Sequence, residues 1–164
     1  MTLTPLARTV AAAAAASLAL AGLLPAASAT EATSPRDRTI TIERVSQENV
    51  DVGELGSSVG DLRATQGIAR TASGKRIGTY ATSQVTVATG LAGGVEQRSV
   101  IMEITLRGGE ISIVGIYEAP AGAPPVRAIT HVIVGGTGDF FGARGTMTMT
   151  PASATTYTVK LDFA

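Results

Sequence analysis

From residue 38 to residue 163 the chain never sustains a helical period; short runs of β-branched residues alternate with turns marked by glycine and proline. No other feature restricts the fold as much. The first run, residues 39–47, sets Ile40 and Ile42 against Thr39, Thr41 and Glu43. The last, 155–163, alternates Tyr157, Val159, Leu161 and Phe163 with Thr158, Lys160 and Asp162, so one face is buried and the other wet. Between them the pattern predicts strands over 62–71, 76–89, 98–106, 110–119, 126–134 and 144–150. Ala72-Ser73-Gly74-Lys75 and Arg107-Gly108-Gly109 read as hairpin turns, residues 90–97 as a loop, and Pro120 to Pro125 as a rigid crossing, because proline cannot donate to a ladder. Eight antiparallel strands joined mostly by short turns predict an all-β fold, an up-and-down barrel that abolishes sheet edges and leaves an interior wide enough for one small ligand.

Composition agrees. After residue 29 the chain holds 19 Thr, 13 Val and 11 Ile beside 18 Gly and only 5 Leu, the balance of pleated strands and tight turns rather than helices. The same segment carries 12 Lys+Arg against 13 Asp+Glu, which excludes the dense basic face that nucleic acid or an anionic membrane requires. With no cysteine and the single histidine His131, disulfide scaffolds and thiolate or multi-histidine metal sites are excluded as well.

Residues 1–29 read as a removable export signal. Arg8 supplies the positive start, residues 10–24 form an apolar run too short to span a bilayer, and Pro25 precedes the small residues Ala27-Ser28-Ala29. The expectation is a secreted protein beginning near Thr30, with a disordered lead-in over 30–37 and one barrel domain over 38–164.

Three features look chemical and have plainer accounts. Val132 to Gly142 carries closely spaced glycines after a strand, but no helix or further βαβ unit follows, so it predicts a tight turn rather than a dinucleotide site. His131 has no serine in a nucleophile-elbow context to activate and reads as a packed strand residue. Asp51, Glu54 and Asp61 fit no calcium-loop spacing and read as a solvated, turn-forming loop.

Three other segments together carry a resemblance. Gly60-Asp61-Leu62 runs toward Ser73-Gly74-Lys75-Arg76-Ile77-Gly78; Gly108-Gly109-Glu110-Ile111-Ser112-Ile113-Val114-Gly115-Ile116-Tyr117 follows; then come Gly135-Gly136-Thr137-Gly138-Asp139-Phe140 and Gly142-Ala143-Arg144-Gly145. In these the chain resembles the allene oxide cyclase-like and dirigent-like barrel superfamily, over roughly residues 45–163. The resemblance implies the eight-stranded barrel and a cavity for a small molecule. It places Ile40 and Ile42 at the family's first-strand cavity positions, with Glu43 one register step away, Gly67 and Gln84 at cavity positions of the second and third strands, and Tyr117 at a retained cavity tyrosine.

The resulting expectation is a secreted barrel that holds a hydrophobic small molecule and steers its cyclisation or isomerisation, an isomerase or cyclase of secondary metabolism acting by cavity templating without cofactor or metal. Glu43 and Tyr117 are the candidate catalytic residues, and Ile40, Ile42, Gln84 and Tyr117 the candidate substrate contacts. The alternative is a non-catalytic binding or structural barrel. The direction in which Glu43 and Glu103 point separates the two, since inward carboxylates favour chemistry and outward ones favour binding. Assembly into a dimer or trimer is left open.

Overall fold

The structure is a computed structural model, described here over residues 36–164; the expected export signal and most of the expected lead-in lie outside the described residues. Eight strands, β1 (Arg38–Val50), β2 (Leu62–Arg70), β3 (Arg76–Leu91), β4 (Val95–Leu106), β5 (Gly109–Pro120), β6 (Ile129–Gly136), β7 (Gly145–Pro151) and β8 (Thr156–Phe163), pair in chain order. Every neighbouring pair is antiparallel, and β8 returns to β1, with Ile40 opposite Val159, to close the barrel. The expected fold is therefore the observed one.

Side chains alternate in and out along each strand, and the inward set divides along the barrel axis. One half is filled by Ile104, Ile111, Ile113, Ile133, Met147, Val159 and Leu161, all inaccessible to solvent. Phe140, from the one-turn 3-10 helix Gly138–Phe140, plugs that end; it stacks on Phe163 at 6.1 Å, and the Arg38 guanidinium lies 5.0 Å from its ring centre. Each plugging contact buries apolar area where strand ends would otherwise leave the core open. The other half of the interior holds polar side chains, and the loops 51–61, 92–94, 121–128 and 152–155 surround its mouth.

Some boundaries differ from the sequence expectation. Strands β3 and β4 run on through the expected 90–97 loop to a short turn at 92–94, so Glu96 is a strand residue. Strand β6 starts at Ile129 rather than at residue 126, the proline-rich segment keeping Val126 out of the ladder. The β6–β7 connection is the 3-10 plug rather than a tight turn. Gly136 in that connection has no left-handed φ; it is glycine because a Cβ there would come within 2.5 Å of the Glu110 and Phe140 carbonyl oxygens.

Candidate functional site at the open end of the barrel

A β-bulge in β1 prepares the site. Pairing with β2 passes from Arg44 opposite Gly67 to Ser46 opposite Gln66, leaving Val45 unpaired and exposed. Because side chains alternate with period two, this extra residue flips the parity of the rest of the strand. Arg44 faces inward before the bulge, and Gln47 and Asn49 face the mouth after it, where Glu48 would otherwise stand. The inward polar side chains then form a chain: Arg44 donates to Gln47 Oε1 at 2.7 Å, Gln47 to Asn49 Oδ1 at 3.1 Å, and Arg63 Nε to the same Asn49 oxygen at 3.0 Å.

Across the barrel, β4 brings in Glu96 and Arg98 two residues apart on the same face, 2% and 1% exposed. Arg98 engages Glu96 Oε1 through two nitrogens, while Glu96 Oε2 accepts from the Ser57 hydroxyl and, at 3.3 Å, from the Gly122 N–H. Burial alone would raise the Glu96 pKa, but the hydrogen bonds from Ser57 and Arg98, the Arg98 charge and the Gly122 N–H outweigh it and hold the carboxyl below its usual value. With its oxygens occupied and its charge retained, Glu96 is a clamp rather than a general base. What it holds is Arg98, whose Nη1 lies 3.5 Å from the Tyr117 hydroxyl and whose guanidinium carbon lies 5.9 Å from that ring's centre. Tyr117 in turn donates to Gln84 Oε1 at 2.6 Å, and Gln84 donates to Thr82 at 3.2 Å.

Two spaces adjoin this network. An open pocket of about 440 Å³ at the mouth has Gln84, Glu96 and Arg98 in its lining, with Val50, Leu62, Arg63 and Gly122 around them. Deeper lies a cavity of about 40 Å³ bounded by Ile42, Met102, Met149, Tyr80, Tyr117 and Tyr157, with Pro124 and Pro125 from the β5–β6 loop. The outer one has the size of a small-molecule site; the inner holds only a water or two. Burial pushes the Tyr80 hydroxyl up to about 12 and raises Tyr157, so both stay protonated near neutrality. On the β1–β2 loop, Asp61 accepts from the Val52 and Ser58 N–H groups and Asp51 from Gly56; the loop is tied into shape by its own carboxylates.

Of the candidates read from the sequence, Gln84 and Tyr117 are hydrogen-bonded to each other at the site. Ile42 lines the inner cavity, and Ile40 is buried deeper in the same face of β1. Glu43 is on the outer face, accepting from Arg70 Nε at 3.0 Å, and Glu103, also outside, accepts from Ser112 at 2.8 Å. Neither carboxylate reaches the interior, because β1 and β4 present Ile42 and Met102 there instead. The catalytic expectation for Glu43 thus has no geometry to support it. Glu96, Arg98, Arg44, Arg63 and Tyr157 were not singled out by the sequence. The available signal was parity: Glu96 and Arg98 continue the register of Val100, Met102, Ile104 and Leu106. His131 packs inward beside Tyr117, ring centres 5.7 Å apart, and its Nδ1 has no hydrogen-bond partner among the described residues. Burial lowers its pKa, so the ring is neutral near pH 7.

Neither a family model nor a curated protein sequence matches the chain. Solved structures do. A pyocyanin demethylase superposes with a TM-score of 0.68 at 20% identity, covering 79% of this chain and 100% of its own. An exo-specific intermolecular Diels-Alderase gives 0.56 at 12% identity over 79% of this chain and 98% of its own. A pterocarpan synthase dirigent protein gives 0.57 at 17% identity over 78% and 87%. At these identities the likeness concerns architecture, and it establishes that the chain has the closed eight-stranded barrel fold of the dirigent-like and cyclase barrels.

Proposed function

We propose that the exported protein binds a mainly apolar small molecule at the open end of the barrel and steers its cyclisation or isomerisation by fixing its orientation. The observation that carries this reading is the clamped Arg98–Tyr117–Gln84 chain, whose Arg98 and Gln84 line a pocket of ligand size while Tyr117 faces the inner cavity. Tyrosine rings and methionine thioethers offer a surface for an unsaturated skeleton, and the Tyr117 and Gln84 groups offer one or two hydrogen bonds that select a pose. A pose held in this way can lower a barrier by up to about 7–11 kcal/mol through orientation alone. Two structural neighbours, a Diels-Alderase and a pterocarpan synthase dirigent protein, agree with steering on this fold.

A second reading, binding without chemistry, is favoured by one specific observation. Glu96 is saturated and held ionised, His131 is sealed against Tyr117, and Glu43 and Glu103 lie outside, so no carboxylate or imidazole among the described residues is poised for proton transfer. Native mass spectrometry of the protein from culture medium, followed by incubation with the compound it releases or an open-chain precursor, tests both. A small-molecule adduct that leaves on unfolding is expected. Conversion of the precursor supports steering, its recovery unchanged supports binding alone, and a bare protein that stays bare in culture extract contradicts both.

A further inference from the structure

Among the side chains that bound the inner cavity, two are cationic, Arg44 and Arg63, and none is acidic. Both are half-buried, and a guanidinium partly withdrawn from water gains from a counter-charge. Arg98 has its pair in Glu96. Arg44 and Arg63 have none among the described residues: their hydrogen bonds there go to the amide oxygens of Gln47 and Asn49 and the carbonyls of Ala154 and Gly122, all neutral. Three carboxylates line the mouth pocket beside Arg63: Asp51 and Asp61 accept from their own loop's N–H groups, Glu96 is held by Arg98, and among the described residues none makes an ion pair with Arg44 or Arg63. Burial first and the like charge of Arg98 next lower the Arg63 pKa, against an opposing pull from Tyr117 and Glu96. A chain of zero formal net charge therefore places two cations with no ion pair among the described residues where its mouth pocket meets its aromatic cavity.

Resting on the binding reading above, we propose that the ligand is an organic anion: an unsaturated apolar molecule carrying a carboxylate, which Arg44 and Arg63 receive at the lip while its hydrocarbon body turns toward Tyr80, Tyr117 and Tyr157. The neutral amides of Gln47 and Asn49 hold the two guanidiniums in the meantime and give up those bonds to the incoming oxygens, since charge-assisted bonds are about twice as strong as neutral ones. The inner cavity is too small for a ring as it stands, so the body enters as Met102, Met149 and the Pro124–Pro125 segment give way.

Isothermal titration of the mature protein with 2-naphthoate and with its neutral isostere 2-naphthamide tests the charge directly. The account expects naphthoate to bind at least about ten-fold tighter, from one or two charge-assisted hydrogen bonds. Rising salt should narrow the gap. Arg63→Gln and Arg44→Gln should each remove most of the preference, with an unchanged far-ultraviolet circular dichroism spectrum and urea midpoint showing that the variants are folded; Lys160→Gln, on the outer face, should keep it. Equal affinity of the two probes for the wild-type protein would overturn the anion and leave the pocket standing. Failure of both to bind at millimolar concentration would overturn the anion and the pocket together.

Discussion

Arg98 sets the character of the site, and its cost falls on Glu96. An arginine 1% exposed is tolerated because one carboxylate, one tyrosine hydroxyl and the Pro120 carbonyl surround it. Removing the carboxylate alone strands the charge. Glu96→Leu should destabilise by about 3 kcal/mol, the low end for breaking a buried pair, because the pair lies just beneath the 51–61 loop rather than deep in the core. Arg98→Met should cost a similar amount, while the double variant should recover about 1–3 kcal/mol relative to the sum of the two, as expected for coupled partners. Urea unfolding midpoints of the four proteins give the answer; strictly additive losses would mean that the pair is not coupled. These residues were hard to read in the sequence for the same physical reason. A charged residue in a strand is ordinarily turned outward, and only the unbroken parity from Glu96 to Leu106 shows that this pair is turned in. Gln84 and Tyr117 were legible because the resemblance aligned them with cavity positions, whereas Glu43 depended on a register that Ile40 and Ile42 occupy.

At the scale of elements, the strands were legible and their ends were not. Period-two alternation with a glycine or proline at each reversal identifies all eight strands, because a closed antiparallel barrel buries one side of every strand. The bulge at Val45 has no comparable signature: it follows from the pairing of β1 with β2, which is non-local. The 3-10 plug is similar, since Phe140 becomes a stopper only once Phe163 and Arg38 arrive from the far ends of the chain. Gly136→Val should therefore destabilise by about 1–3 kcal/mol, its side chain meeting two backbone carbonyls that cannot retreat. Its neighbour provides the control, because a Cβ at Gly135 meets only the Arg144 guanidinium at 3.8 Å. Gly135→Ala should leave the denaturant midpoint nearly unchanged, and equal losses at the two positions would show that close approach is not what fixes Gly136.

For the molecule as a whole, the division along the axis matters most. The apolar half, sealed by Phe140, supplies the buried area that holds the barrel together. The open half can then carry a buried ion pair, two arginines without an ion pair among the described residues, and three tyrosine rings, groups that would weaken a smaller core. The central claim is that binding belongs to this open end. Amide chemical-shift mapping of the isotope-labelled protein during titration with 2-naphthoate measures it most directly. Shifts concentrated at Arg63, Gln84, Arg98, Tyr117 and Gly122, around the mouth, are expected. Shifts confined to the sealed end around Phe140, or to the outer face near Glu43 and Glu103, would contradict it.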